Sequence, residues 1–122
     1  YILTVFTDTS CPYCQKLHNE IPDLLENGIE VRYVLFSRNG SEVDAYNQLV
    51  SAWCSENKVA SIERLFEGDI LEDTDNCKNP LNKNSELASL LSVEGTPTIF
   101  LEDGRIIPGY QNSENIMSFI NN

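Results

Sequence analysis

Two cysteines separated by two residues, Cys11-Pro12-Tyr13-Cys14, are the part of this 122-residue chain best placed to do chemistry. Thiols at this spacing can close on each other as a disulfide, or attack a disulfide elsewhere, provided one sulfur ionises near neutral pH. The flanking residues favour that ionisation at Cys11. Ahead of it, Tyr1-Ile2-Leu3-Thr4-Val5-Phe6 is a β-branched and aromatic run that reads as a buried strand; behind it, Gln15-Lys16-Leu17-His18 reads as helix. Thr7-Asp8-Thr9-Ser10 supplies cap chemistry between the two, so Cys11 falls at a first helical turn, where unpaired N–H groups and the dipole support a thiolate. Cys11 is therefore expected to be the exposed, attacking sulfur and Cys14, one turn deeper, the resolving one. Pro12 suits a first turn and limits the bend there. The same spacing is also half of a zinc site, but no second Cys-x-x-Cys or His-x-x-His pair completes one, so no metal is expected.

Other candidate residues are weaker. His18 shares the helix with both cysteines and could perturb them, but at a turn or more from either sulfur it reads as a surface or rim histidine. Asp8 could accept a proton or simply form the turn before the helix, the latter being the simpler reading. Cys54 and Cys77 remain; a bridge between them would restrict the unfolded chain by roughly 2–4 kcal/mol, and two unrelated reduced thiols are the alternative. Thr96-Pro97 reads on its own as the start of a strand. Asn39-Gly40-Ser41 fits a glycosylation acceptor, and an Asn-Gly turn explains it equally well.

These residues need elements to position them. A helix is expected from about Cys11 to Asn27, with Leu17, Ile21, Leu24 and Leu25 on its buried face, a kink at Pro22, and Gly28 as a left-handed C-cap. Glu30 to Phe36 reads as a second strand, giving a βαβ unit with parallel strands. Three helical stretches follow. The first carries Val43, Tyr46, Leu49, Val50, Trp53 and Cys54 on one face; the second carries Val59, Ile62, Leu65 and Phe66 and stops at Gly68. The third, beyond Asn79-Pro80, is expected to be capped near Asn84 or Ser85 with Leu87, Leu90 and Leu91 inward. The acidic run from Glu67 to Asp75 does not match the spacing of a calcium loop and reads as a solvated connection. Thr98 to Leu101 and Ile106-Ile107 form strands joined by an Asp103-Gly104 turn, and Ser113 caps a last helix with Ile116, Phe119 and Ile120 inward.

Composition narrows the functional classes. With 41% hydrophobic and 9% aromatic residues the chain is globular, and its length suits one domain spanning 1–122. A net charge of −11 argues against nucleic acid or an anionic membrane as partner. No apolar run is long enough to span a bilayer. Four cysteines lean towards an oxidising compartment, and the chain opens within a strand, so a leader removed upstream is expected.

Taken together, Phe6-Thr7-Asp8-Thr9-Ser10-Cys11-Pro12-Tyr13-Cys14-Gln15-Lys16-Leu17-His18 resembles the active-site stretch of the DsbC/DsbG family of bacterial periplasmic disulfide isomerases. Trp53-Cys54, Cys77, Val93-Glu94-Gly95-Thr96-Pro97 and Pro108-Gly109-Tyr110-Gln111 recur in that family's order across essentially the whole chain. The resemblance implies an α/β thioredoxin fold (βαβ then ββα) with a helical insertion at about 41–92, between the second and third strands. It implies catalysis by Cys11 and Cys14, a cis peptide before Pro97, and a structural Cys54–Cys77 disulfide. Thr96 and Pro97, with Pro12 and Tyr13, would bind substrate. The expected activity is isomerisation or reduction of misoxidised periplasmic proteins, with no cofactor and a membrane thiol reductase of the DsbD type as electron donor. The family's N-terminal dimerisation domain is absent from these residues, so a homodimer formed through that missing domain is expected. Cys-Pro-Tyr-Cys stands where DsbC carries Cys-Gly-Tyr-Cys, being closer to DsbG. The alternatives are a DsbA-like dithiol oxidase, or a chaperone or binding module whose cysteine pair is structural.

Overall fold

The structure is a computed structural model and describes residues 1–73 and 77–122. Among the described residues the elements are β1 (Ile2–Thr7), α1 (Pro12–His18), α2 (Ile21–Glu26), β2 (Glu30–Leu35), α3 (Asp44–Trp53), α4 (Lys58–Phe66), α5 (Leu81–Leu90), β3 (Thr98–Phe100), β4 (Ile106–Pro108) and α6 (Ser113–Ile120). The sheet order is β2-β1-β3-β4. β1 runs parallel to β2, with Ile2 opposite Glu30 and Thr7 opposite Leu35, and antiparallel to β3, with Thr4 opposite Phe100. β4 returns antiparallel to β3. The expected βαβ and ββα units therefore meet in one sheet, with α3, α4 and α5 inserted between β2 and β3.

Alternation along β1 divides the core between the faces of the sheet. Leu3 and Val5 pack with Leu17, Leu24, Ile99, Ile107 and Ile116. Phe6, of opposite parity, packs with Ala88 and Val93. The insertion has its own core of Leu49, Val50, Ala52, Leu65, Leu71 and Leu81, closed against Leu35 at the end of β2. Tyr33 packs against both the sheet core and the insertion core.

Several local expectations are corrected. The single long helix is two helices. Pro22 has no N–H to bond the carbonyl of His18 and its ring would collide with that carbonyl, so α1 stops at His18 and Pro22 becomes a first-turn residue of α2. Leu24 is buried but Leu25 is 58% exposed. Gly28 does close α2, at φ +75°: its N–H bonds to Leu25 O and that of Ile29 to Leu24 O, both at 3.0 Å, the Schellman pattern. In α4, Leu65 is buried and Val59 exposed.

The inner face of α5 is also different. The helix begins at Leu81, whose N–H donates to Asn79 Oδ1 at 3.1 Å, three residues before the expected cap. Leu81, Asn84 and Ala88 face inward, Asn84 donating from Nδ2 to Leu35 O at 2.9 Å, while Leu87, Leu90 and Leu91 are exposed. The small Ala88 lets the helix approach Phe6 and Val93 closely, which a leucine there would prevent. At α6 the cap is Asn112, whose side chain accepts from Asn115 N; Ser113 is the first helical residue, and its N–H donates to Glu20 Oε1 at 2.8 Å. Ile116 is buried, but Phe119 is exposed. The acidic run from Glu67 is exposed save for Leu71, and its last members, Thr74 and Asp75, lie outside the described residues. Asn39 and Gly40 form the expected turn, with Gly40 at φ +87° and its N–H bonded to Ser37 O at 3.1 Å.

Candidate active site

Cys11 is the N-cap of α1. Its backbone is extended (φ −85°, ψ 124°), its N–H donates to Asp8 O at 2.9 Å and its C=O accepts the first helical bond from Gln15 at 3.0 Å. Cys14 sits one turn in, its sulfur accepting the Asp8 N–H at 3.5 Å. Both thiols are free and buried, at 3% and 1% exposure. An exposed Cys11 was the expectation; the correction comes from a part of the chain distant in sequence. The loop before β3 lies over the sulfur, so that the Cys11 thiol donates to Thr96 O at 3.5 Å across 85 residues. The Thr96–Pro97 peptide is cis, and Pro97 is fully buried. What reaches solvent is the dipeptide between the cysteines, Pro12 and Tyr13, the latter 62% exposed.

The two sulfurs are electrostatically unequal. At Cys11 burial opposes the thiolate, but hydrogen bonding from the Thr96 side chain, from Cys14 through its N–H and thiol, and from the Tyr13 N–H outweighs it and brings the thiol below its ordinary range. At Cys14 deeper burial dominates, and a charge on Cys11 adds to it, pushing the thiol up despite the Asp8 N–H and the hydroxyls of Thr96 and Thr7. Those two hydroxyls are buried without a hydrogen-bond partner. Both favour a charged sulfur, so ionising a thiol beside them supplies an acceptor.

Asp8 shapes the turn, as the simpler reading held, and also anchors it. Fully buried, it accepts from Ser10 N at 3.0 Å and Ser10 Oγ at 2.6 Å with one carboxylate oxygen. With the other it accepts from Arg38 N at 3.1 Å, and Arg38 Nε lies 3.5 Å away. Arg38, in the turn after β2, thus ties that turn to the active-site loop. Arg38 had no motif to mark it; it matters only because β1 and β2 are neighbours.

His18 is half-buried, a rim residue with partners on both ring nitrogens. Nδ1 lies 2.8 Å from Tyr33 Oη, Nε2 lies 2.8 Å from Glu63 Oε2, and the ring stacks on Phe66 with centroids 4.1 Å apart. It pins α1 to β2 and to α4. Cys54, the C-cap of α3, is joined to Cys77 by a disulfide with the Cα atoms 5.7 Å apart. The four cysteines are thus one free pair at the helix start and one bridge in the insertion. Among the described residues no three His, Cys, Asp or Glu side chains gather into a metal-binding group.

A family model described as a thioredoxin-like domain matches residues 1–122. The chain belongs to the thioredoxin-like family. Among curated thioredoxin-like relatives, thiol:disulfide interchange protein DsbC of Dickeya dadantii is 35% identical over 120 residues, covering 98% of this chain and 50% of the relative. DsbC of Escherichia coli K12 is 33% identical with the same coverage. The chain therefore spans about half the length of the curated relatives it matches. Among solved structures, a disulfide interchange protein from Neisseria gonorrhoeae superposes with a TM-score of 0.84 at 24% identity, covering 98% of this chain and 85% of that one. A periplasmic thioredoxin-like protein from Salmonella enterica serovar Typhimurium gives 0.72 at 21% identity, covering 98% and 82%. These two likenesses show the thioredoxin-like fold; the family model carries the membership.

Proposed function

We propose that this domain is a protein thiol–disulfide oxidoreductase that isomerises or reduces wrong disulfides in substrate proteins. The observation that carries the reading is the placement of the two free thiols: Cys11 is the N-cap of α1 with its sulfur 3.5 Å from Thr96 O, and Cys14 lies one turn deeper, its sulfur accepting the Asp8 N–H. Cys11 thiolate attacks a substrate disulfide; a bond forms between Cys11 Sγ and one substrate sulfur while the other leaves as thiolate. Isomerisation is completed when a second substrate thiolate displaces Cys11. Reduction is completed when Cys14, deprotonated, does so and closes the Cys11–Cys14 disulfide. Thr96 and Pro97 form the wall beside the sulfur and Pro12 with Tyr13 its exposed rim, so these four bind the substrate segment. No cofactor enters either route, because the electrons move among sulfurs. Repeated turnover requires the pair to be kept reduced, the role of a membrane thiol reductase in the periplasm, and the relatives' greater length leaves room for a dimerisation domain outside this chain.

The test is recovery of activity from a scrambled multi-disulfide protein. Wild type is expected to restore it, Cys14→Ser to accumulate the mixed disulfide on Cys11, and Cys11→Ala to do neither. Unchanged recovery with Cys11→Ala overturns the reading.

A further inference from the structure

In the resolving step Cys14, 1% exposed, must lose a proton before it displaces a substrate from Cys11. A substrate seated on Cys11 covers the rim of Pro12 and Tyr13, and the groups beside Cys14 offer no way out. The Thr7 and Thr96 hydroxyls are buried with no hydrogen-bond partner through which a proton could move on. Asp8 meets the sulfur with its N–H alone; its carboxylate is occupied by Ser10 and Arg38, and a guanidinium accepts no proton. Beneath α1, however, a hydrogen-bonded series of side chains reaches the surface: Tyr33, His18 and Glu63. We propose that Tyr33 and His18 are the proton outlet of Cys14, with His18, backed by the Glu63 carboxylate, as the base that receives the proton in the resolving step. The proposal rests on the thiol–disulfide exchange reading above.

Three features carry it. First, the groups are placed together. Cys14 and His18 lie four residues apart on α1, on one face of the helix and about 6 Å apart along its axis. Tyr33 stands in register with Val5 and packs into the core that holds Leu17, the α1 residue before His18. Burial above all, then the charges of Glu63 and Cys14, keeps the Tyr33 hydroxyl protonated well above its ordinary range, so it stands within electrostatic reach of both ends of the series. Second, the direction of the hydrogen bonds is fixed. A carboxylate only accepts, so the 2.8 Å contact with Glu63 Oε2 puts the His18 proton on Nε2. Nδ1 is then an acceptor, and the Tyr33 hydroxyl donates to it at 2.8 Å. The Tyr33 oxygen keeps a lone pair with which to accept in turn. Third, the series ends in water. His18, Tyr33 and Glu63 line an open groove of about 450 Å³ between α2, β2 and α4, and the Glu63 side chain is 50% exposed. The titratable and charged groups facing His18 are thus Tyr33 from β2 and Glu63 and Lys58 from α4, the Lys58 ammonium lying over the Trp53 ring at 5.1 Å.

The step balances without an outside oxidant or reductant. The Cys14 thiol gives its proton through one water molecule to the Tyr33 oxygen, while the Tyr33 proton passes to His18 Nδ1. Cys14 becomes a thiolate and His18 an imidazolium paired with Glu63. The thiolate bonds to Cys11 Sγ, the bond from Cys11 to the substrate sulfur breaks, and the electron pair leaves on that sulfur. The imidazolium then yields its extra proton to water in the groove.

The test follows release of thionitrobenzoate from its chromogenic disulfide by stopped-flow absorbance, with Cys11 and Cys14 reduced and the Cys54–Cys77 bridge intact. A first phase that scales with reagent concentration reports attack by Cys11; a second, independent of concentration, reports resolution by Cys14. At neutral pH the ratio of second-phase to first-phase rate constants is expected to fall about a hundredfold in Tyr33→Phe and in His18→Gln, as loss of a general base would give. The wild-type second phase should carry a pH inflection that His18→Gln lacks, and all three proteins should converge at alkaline pH, where Cys14 ionises unaided. Free imidazole should restore the second phase to His18→Ala. Glu67→Gln, which removes an exposed acid at the end of α4, should leave both phases as in wild type. Ratios within about twofold of wild type in both variants, or a deficit that persists unchanged at alkaline pH or in imidazole, overturn the outlet. Wild type still shows its first phase in those cases, so the outlet fails alone. If wild type shows no first phase, the exchange reading fails and the outlet with it.

Discussion

Removing the Cys54–Cys77 bridge should cost stability by an amount set by chain length. The cysteines lie 23 residues apart, and closing a loop of that size in the unfolded chain removes conformational entropy worth about 3.4 kcal/mol at 25 °C. For 122 residues the entropy of unfolding near the midpoint is about 0.26 kcal/mol/K, so Cys54→Ser/Cys77→Ser should lower Tm by about 13 °C. Urea unfolding at fixed pH, followed by fluorescence and far-UV circular dichroism, measures the loss directly. Trp53, the chain's one tryptophan, adjoins Cys54 and reports on the insertion. The m-value should also rise, because the freed chain expands and exposes more surface. A loss below about 1 kcal/mol with an unchanged m-value would refute the entropic account, showing that the segment between α3 and α5 stays compact without the bridge.

The remaining predictions concern the site. Iodoacetamide should alkylate Cys11 with a pH midpoint below the ordinary thiol value and Cys14 only above it, and mass spectrometry of the two peptides separates them. The same asymmetry makes the stability of the reduced protein pH-dependent. Cys11, depressed in the fold, adds stability as pH rises from its folded value to the ordinary thiol value, and that stability is lost again as pH falls; Cys14, raised in the fold, subtracts stability above the ordinary value. Urea midpoints of the reduced protein should therefore rise and then fall across that window, with no such trend in the Cys11→Ala/Cys14→Ala variant. Arg38→Ala leaves the Asp8 carboxylate buried with its guanidinium gone and should cost on the order of 1–3 kcal/mol, with partial recovery on adding Asp8→Asn, read as a double-mutant cycle in urea.

Much of this architecture is legible in the sequence because the signals are local. The apolar run of β1, the helical spacing of Leu49, Val50 and Trp53, and the glycines that end α2 and α4 each depend on a few neighbouring residues. The errors arise where tertiary contacts decide. Leu87, Leu90 and Leu91 form an apolar stripe by spacing, yet the sheet receives Ala88 instead, because Phe6 already fills the space beneath α5. The break at Asn19 and Glu20 reflects Pro22 acting on a carbonyl four residues back, with Glu20 then reaching the N-terminus of α6. The site shows the same division. Cys11 and Cys14 announce themselves by spacing, but the burial of Cys11 depends on Thr96, the anchoring of Asp8 on Arg38, and the clamping of His18 on Glu63. Those partners come from other elements, and no local pattern in the sequence names them.

The central position of β1 bears on how the protein comes into being. β1 is flanked by β2 and β3, and it meets β3 only through pairs such as Phe6 with Thr98, 92 residues apart. Pairing β1 with β2 closes a loop of 28 residues; joining β3 closes a loop of 92 and costs about 1 kcal/mol more in closure entropy. Cys11 acquires its Thr96 neighbour only at that late event. Before it, Cys11 and Cys14 are thiols with no wall beside them, and the helix start alone favours a thiolate. The finished site is thus withheld until β3 joins the sheet, whereas Cys54 and Cys77, only 23 residues apart, can pair without it.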